Sequence, residues 1–215
     1  MSFHEELLEK ARPIWDTMLG HPFLKQTAEC RIEDAVFANW LQQDYLFVQG
    51  AIPFISAMVS RAPLSIRSGL APAIGALQEE LRLFEGMASE KNVSLDNLRI
   101  TPTCHAYVQF MLATAHTASF EEGFALLYGA EKAYFDSWTW VKGNLKGESP
   151  WQPFIKKWSD ENFQQWINWI EGALDNLADQ ASALLREKMI QIFWLTGQYE
   201  LLFWDMALRG ESWPV

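Results

Sequence analysis

Apolar residues follow a helical period along nearly the whole chain, and this pattern restricts the possible folds more than any other feature of the sequence. They recur at intervals of three and four residues, whereas β-branched residues nowhere alternate with polar ones over more than a few positions. Glycine and proline fall between the helical stretches rather than at the spacing of hairpin turns. The sequence therefore predicts an all-α fold, a helical bundle without internal repeats.

The helical pattern divides into nine segments. Two of their starts carry strong signals, because His21 precedes Pro22 and Thr101 precedes Pro102, and proline suits the first turn of a helix. In the fourth segment we expect Glu80 on a solvated face. The predicted helices cover residues 2–19, 21–30, 32–59, 65–91, 101–118, 119–142, 151–159, 161–177 and 183–209.

The length of the chain allows a single domain. A chain of 215 residues can bury one core, since single cores keep growing up to about 250 residues. Its 11 Trp and 14 Phe predict an unusually aromatic interior or cavity. We therefore expect one domain over residues 1–215.

The charge of the chain excludes two classes of partner. The formal net charge is −10, from 17 Lys and Arg against 27 Asp and Glu. Sequence-independent binding to nucleic acid and docking on an anionic membrane both require a basic surface, so neither partner is expected. Residues 1–6 lack the basic start and apolar run of a signal peptide, and no stretch has 18 uninterrupted apolar residues. These features predict a cytoplasmic protein.

Three carboxylates, Asp44, Glu131 and Glu200, interrupt apolar stripes on three helices far apart in sequence. Glu200 has Phe193 and Phe203 on its own face of the last helix. Removing an ionised carboxylate from water costs several kcal/mol unless a partner offsets it. Each acid is therefore either a capped structural residue or a contact for a ligand or a reaction.

The three stripes would form one pocket if they converge. Such a pocket has apolar walls, several aromatic faces and a few acceptors, which suits a small planar heteroaromatic molecule with exocyclic amino groups. Two facing carboxyls at low dielectric would also have different pKa values, because one keeps a proton and can act as an acid while the other stays ionised and can act as a base.

Other chemistries find less support in the sequence. Di-iron sites in helical bundles use Glu-x-x-His spacing, which none of the four histidines has, so no metal is expected. Haem needs an axial ligand, for which His21 or His105 is available, but a lone histidine is more often structural, and no cofactor is expected. Cys104 is not paired with His105 as a catalytic dyad, because neighbours in a helix point about 100° apart. The histidines are His4, His21, His105 and His116.

Four segments spread over the chain carry a family resemblance. They are His21-Pro22-Phe23, Gln43-Asp44-Tyr45 with Phe47, Thr101-Pro102-Thr103 with Tyr107, and Glu200-Leu-Leu-Phe203-Trp204-Asp205-Met206-Ala207. With them the chain resembles the TenA family, the thiaminase-II-like proteins of thiamin salvage. The resemblance covers nearly the whole chain. It implies a haem-oxygenase-like fold, a small-molecule aminopyrimidine as the partner, and a homotetramer or homodimer.

The resemblance also implies roles for particular residues. Asp44 would contact the amino group and a ring nitrogen of the aminopyrimidine. Tyr107 would support the reacting centre, and Glu200 would be the acid/base. Phe47 and Phe203 would line the ring.

Two departures from the family pattern affect the expected mechanism. The common branch carries a nucleophilic cysteine midway along the sixth helix, where this chain has no cysteine but has Glu131 followed by Tyr134. This segment resembles the rarer branch in which a glutamate takes over. Trp158 stands where the family has a ring-contacting tyrosine, and unlike the hydroxyl of tyrosine, the N–H of an indole can only donate a hydrogen bond. Tyr134 and Trp158 complete the set of residues expected to contact the substrate.

These observations favour a hydrolase that acts on an amino- or formylamino-methylpyrimidine derived from thiamin. Glu131 would activate water, since a carboxylate is a competent base but a weak nucleophile, and thiamin itself would be a poor substrate. The alternative is a non-catalytic pyrimidine-binding or regulatory protein that has retained the pocket.

Overall fold

The computed structural model describes residues 1–214, and these form ten α-helices and no strands. The all-α prediction is thus confirmed. No helix in this part of the chain combines the length and the apolar character needed to cross a membrane. The helices are α1 (Phe3–Leu19), α2 (Pro22–Ala28), α3 (Asp34–Arg61), α4 (Leu64–Leu70), α5 (Pro72–Glu90), α6 (Pro102–Thr117), α7 (Phe120–Asn144), α8 (Gln152–Lys157), α9 (Glu161–Gln180) and α10 (Ala183–Arg209).

Both predicted proline starts are confirmed. The side chain of His21 accepts a hydrogen bond from the backbone N–H of Phe23 at 3.2 Å, and Pro22 begins α2. The hydroxyl of Thr101 accepts one from the N–H of Cys104 at 3.4 Å at the start of α6. These side chains satisfy N–H groups that have no partner within the helix.

The prediction of one helix over 65–91 is wrong. Two helices, α4 and α5, occupy this stretch, and α5 begins at Pro72. Proline has no N–H to donate to the preceding turn, so the first helix ends before it. Glu80 is also not on a solvated face, since it is only 9% exposed.

The chain forms two compact units. The first unit contains residues 1–32 and 124–204, and the second contains residues 33–123 and the residues from Asp205 onward. The expected single domain over residues 1–215 stays a prediction.

In the first unit, one side of α7 packs against α9. Four α7 residues at spacings of four, three and four carry this contact: Phe124, Tyr128, Glu131 and Phe135. Their partners run in broadly the opposite direction along α9: Trp169, Glu171, Trp166 and Phe163. The two helices are therefore antiparallel.

Another side of α7 packs closely against α10. A Cβ atom at Gly129 would lie 2.8 Å from Cγ2 of Thr196, closer than side chains approach one another, so any larger residue would require Thr196 to shift. Further along, the rings of Tyr134 and Trp138 both contact Trp204, with centroids 5.6 and 6.0 Å away. Because both contact positions advance together along the chain, α7 and α10 run in the same direction here.

In the second unit, α3 packs against α5 and α6. The rings of Trp40 and Phe84 join α3 to α5, with centroids 5.8 Å apart. Gly50 lets α3 approach α6, since a Cβ there would lie 2.6 Å from Cγ1 of Val108. The guanidinium of Arg61 donates to backbone carbonyls at the end of α6.

The segment after α10 crosses the start of α6. The Glu211 carboxylate accepts hydrogen bonds from the backbone N–H of Thr103 at 2.8 Å and from its hydroxyl at 3.1 Å. The indole N–H of Trp213 donates to the carbonyl of Ile100 at 2.8 Å. These contacts stabilise the start of the helix that carries Cys104 and Tyr107, since an anion at a helix N-terminus is favourable.

Candidate active site

Glu200 lies in the buried aromatic stripe of α10 that the sequence predicts. Its side chain is 1% exposed, and Phe193, Thr196 and Phe203 are likewise buried around it. Thr196 directs its hydroxyl back to the carbonyl of Ile192 at 2.8 Å. The walls beside the Glu200 carboxylate are therefore largely apolar.

A strip of small side chains on α7 faces this stripe. Gly129, Ala133 and Ser137 follow one another at intervals of four residues and so share one face of α7. Thr196, Glu200 and Trp204 share one face of α10 in the same way. Glu200 thus lies between the Gly129–Thr196 contact and the contacts of Trp204 with α7.

Glu131 lies on a different side of α7. It is half-buried, and its Oε2 atom accepts a hydrogen bond from Nε1 of Trp166 on α9 at 3.0 Å. Residues 131 and 133 point about 160° apart on a helix of 3.6 residues per turn. The bond to Trp166 directs one oxygen of Glu131 toward α9. That Glu131 and Glu200 form a facing pair stays a prediction.

Tyr134 and Trp158 lie in an aromatic cluster of the first unit. The Tyr134 ring is stacked on Trp204 and meets Trp158 edge-on, with centroids 5.6 and 5.4 Å away. Trp158 in turn is stacked between Trp138 and Phe154. These two predicted substrate contacts thus lie next to one another, with Trp204 beside them.

In the second unit, Asp44 is buried on α3. Its neighbour Gln43 fixes the loop before α6, because its amide donates to the carbonyl of Arg99 and accepts from the N–H of Thr101, at 3.0 and 2.9 Å. The rings of Phe47 and Tyr107 meet with centroids 4.8 Å apart. The structure thus places Phe47, expected to line the ring, beside Tyr107, expected to support the reacting centre.

Cys104 is a structural thiol in this arrangement. It is fully buried and donates its S–H to the carbonyl of Gln43 at 3.3 Å. Burial raises the pKa of the Cys104 thiol, and the nearby Asp44 and Glu211 carboxylates raise it further. Because the thiolate is the nucleophilic form, this environment does not suit a nucleophile.

Residues 1–214 contain no cluster of side chains suited to binding a metal ion. No group of three or more His, Cys, Asp or Glu side chains in this range is placed so that it could hold a metal ion.

Sequence reasoning missed two features of the first unit. The hydrogen bond between Trp166 and Glu131 depends on which helix packs against α7. The helical period of apolar residues does not reveal that neighbour. Ser137 resembles any serine in a helix, and only its spacing from Gly129 and Ala133 could have indicated that it lies on the strip facing α10.

Comparison with known proteins agrees with this architecture. The family model described as TENA/THI-4/PQQC matches residues 8–210. The aminopyrimidine aminohydrolase of Halalkalibacterium halodurans is 29% identical over 99% of this chain and 98% of that protein. A TenA homologue from Pyrococcus furiosus is 38% identical, with a TM-score of 0.93 over 95% of this chain and 99% of that one.

The expected fold type is also confirmed. A domain with a haem-oxygenase-like fold from Shewanella denitrificans superposes with a TM-score of 0.76 at 11% identity, over 94% of this chain and 90% of that one. The helical architecture is thus shared even where little sequence identity remains. With the family model matched from the first helix to the end of the last, this chain belongs to the TENA/THI-4/PQQC family.

Proposed function

We propose that this protein is an aminopyrimidine hydrolase that acts on an amino- or formylamino-methylpyrimidine from thiamin degradation. The observation that carries the proposal is Glu200, a carboxylate buried among aromatic and apolar side chains on the face of α10 that meets the small residues of α7. A relative that matches over nearly its full length is an aminopyrimidine aminohydrolase, which supports the same reaction class.

The proposed reaction needs one group that can move a proton. For an aminomethyl substrate, the bond between the methylene carbon and the amine nitrogen breaks, water oxygen bonds to that carbon, and the nitrogen leaves with an added proton as ammonia. For a formylamino substrate, water attacks the formyl carbon, and formate and the aminomethylpyrimidine are released. Glu200 takes the proton of water and delivers it to the leaving nitrogen.

The remaining roles come from the family resemblance. Asp44 accepts hydrogen bonds from the amino group of the pyrimidine, because a carboxylate is an acceptor that such N–H groups need. Tyr107 supports the reacting centre, while Phe47, Phe203, Tyr134 and Trp158 contact the ring.

The branch with a glutamate in place of the nucleophilic cysteine is part of the proposal. The chain has no cysteine in α7, and the thiol of Cys104 is bonded to a backbone carbonyl and has a raised pKa. The reaction therefore uses carboxylate acid/base catalysis rather than a thiolate. The sequence alone instead predicts Glu131 as the base that activates water, and the kinetics of Glu200→Gln and Glu131→Gln distinguish the two assignments.

We also propose that the protein works in the cytoplasm as a homotetramer or homodimer. Three large apolar side chains of α10, Trp194, Leu195 and Leu202, are between 39% and 48% exposed, as expected of a surface that a second copy covers. Light scattering after size exclusion tests this, since a particle of 24.7 kDa would be a monomer and would contradict the proposal.

The function is tested by a product assay. Wild-type protein is incubated with the aminomethyl pyrimidine, the formylaminomethyl pyrimidine and thiamin, and the products are separated by liquid chromatography and identified by mass. We expect turnover of one of the two pyrimidines and slow or no turnover of thiamin. Thiamin cleaved as fast as the pyrimidines would refute the proposal.

Binding and turnover must be measured together. Asp44→Asn should weaken binding of the pyrimidine more than it lowers kcat, because it presents a donor where an acceptor is needed. If wild-type protein binds the pyrimidine but turns over none of the compounds at any pH, the alternative of a binding or regulatory protein holds instead.

A further inference from the structure

Among the buried polar atoms of the first unit that have no hydrogen-bond partner within residues 1–214, two lie close together in the fold. They are Nε1 of Trp204 and Oγ of Ser137, and both side chains are fully buried. Buried polar groups are bonded in the great majority of cases, so an exception needs a specific cause such as a bound ligand. Neither atom takes part in the mechanism described above.

The two atoms belong to one place in the fold. Trp204 contacts Tyr134 and Trp138, and Ser137 lies on the same length of α7 between them. Ser137 also continues the strip of Gly129 and Ala133 that faces α10. Both unpartnered atoms therefore lie where α7 meets α10, one helical turn beyond Glu200.

The surroundings of the two atoms are aromatic. Tyr134 is stacked on Trp204 with an interplanar angle of 25°, and Trp158 meets Tyr134 edge-on at 80°. A planar ring whose edge carries an acceptor suits such surroundings, because its faces pack against aromatic rings while its lone pair receives a donor. An indole N–H can only donate, so the group it meets must be an acceptor.

We propose that Trp204 and Ser137 form a subsite for the ring edge of the aminopyrimidine. The N–H of Trp204 donates a hydrogen bond to a ring nitrogen, and the Ser137 hydroxyl bonds to the same edge. This inference rests on the proposed function and adds to it a recognition element that selects a nitrogen heterocycle over a carbocyclic ring.

The test compares ligands as well as variants. Trp204→Phe keeps a buried aromatic ring but removes the N–H. Calorimetric affinities are measured for the aminomethyl aminopyrimidine and for two analogues, each with one ring nitrogen replaced by C–H. Trp204→Phe should bind the parent compound about tenfold more weakly, and it should bind one of the two analogues as well as wild type does. Such a pattern assigns the lost bond to the nitrogen missing from that analogue.

A matched tryptophan provides the control. The N–H of Trp15 already donates to Asp136 at 2.8 Å, so Trp15→Phe removes a bond within the protein. Trp15→Phe should lower the Tm of the free protein and leave the affinity unchanged. Trp204→Phe also lowers the Tm, because it removes part of a buried ring, but its affinity falls as well, because the N–H that meets the ligand is gone. A Tm loss with Trp204→Phe and unchanged affinity would identify a structural residue and overturn the proposal.

Ser137→Ala is the second variant, and it carries the test if Trp204→Phe does not fold. It removes only the hydroxyl, and we expect about threefold weaker binding of the parent compound with an unchanged Tm. Unchanged affinity in every folded variant would overturn the subsite while leaving the hydrolase intact. If wild-type protein neither binds nor hydrolyses the pyrimidine, the proposed function fails first, and the subsite with it.

Discussion

The two sides of α7 differ in how their polar groups are satisfied. Toward α9, the hydroxyl of Tyr128 donates to Glu171 at 3.2 Å, and Glu131 accepts from Trp166 at 3.0 Å. Toward α10, Gly129 meets Thr196, the rings of Tyr134 and Trp138 contact Trp204, and the buried hydroxyl of Ser137 has no hydrogen-bond partner among residues 1–214.

This difference indicates which side serves the fold and which serves a ligand. A polar group bonded within the protein gains little from a ligand, since binding would only exchange one partner for another. A buried group whose partner must come from outside gains a full hydrogen bond. We therefore expect the reaction to depend on the α10 side of α7, and the α9 side to contribute mainly to stability.

The largest difference between the two sides of α7 should appear when one carboxylate on each side is neutralised. Glu200→Gln should lower kcat for the aminopyrimidine by about 10²–10⁴-fold, the usual contribution of a general acid or base. Glu131→Gln should stay within about tenfold of wild type, because its amide oxygen still accepts the bond from Trp166. Steady-state kinetics of both variants measures the contrast.

Equal losses in the two variants would reverse the assignment. In that case Glu131 would be the base that activates water, as the sequence alone predicts, and the α9 side would take part in the reaction. Circular dichroism of each variant separates such a result from loss of the fold.

The next effect concerns the close contact of α7 with α10. Gly129→Ala should lower the free energy of unfolding by about 1–2 kcal/mol, because overpacking costs about 1–3 kcal/mol and the gain in helix propensity offsets only part of it. Urea unfolding measures the change. Gly143→Ala in the same helix is the control, since a Cβ there meets nothing within 4 Å, and it should be neutral or slightly stabilising.

A stabilised Gly129→Ala variant would mean that α10 can retreat at little cost. The strip would then not be a tight helix contact. The Gly129–Thr196 contact would then not hold Glu200 in a fixed position.

A smaller effect is expected on the α9 side. Trp166→Phe should lower the free energy of unfolding by about 1 kcal/mol, the usual net worth of one hydrogen bond, and should leave KM unchanged. A large change in kcat with Trp166→Phe would show that the Glu131–Trp166 pair acts in the reaction.

The smallest effect should come from Cys104. Cys104→Ala should change kcat by less than about twofold, because the thiol is a donor to Gln43 and not a nucleophile. Burial raises its pKa, so iodoacetamide should label the exposed Cys30 far faster than Cys104 in native protein at pH 9. Peptide mass spectrometry measures both rates, and rapid labelling of Cys104 would contradict this environment.

The raised pKa of Cys104 also sets the sign of a pH dependence. Above about pH 8.5, the usual pKa of a free cysteine, the unfolded chain releases this proton while the folded protein keeps it. The Cys104 contribution to the free energy of unfolding therefore falls as the pH rises through this range. Cys104→Ala should show a shallower decline.

The sequence predicts the fold class and the burial of Glu200, because both follow from the helical period of residues within one segment. It cannot predict which helix packs against which side of α7, so the bond between Glu131 and Trp166 of α9 does not follow from the helical period. The break before Pro72 is missed because the apolar period continues across it. Ser137 is missed because the lack of a hydrogen-bond partner for its hydroxyl depends on the side chains around it, which the sequence does not specify.

The tight fit at Gly129 also restricts how this chain can change over evolution. Any side chain at position 129 would place its Cβ 2.8 Å from Cγ2 of Thr196 and 3.4 Å from Cδ2 of Phe193. Such a side chain costs stability unless Thr196 shifts or is replaced by a smaller residue. Substitutions at positions 129 and 196 are therefore coupled, although neither residue takes part in the proposed reaction.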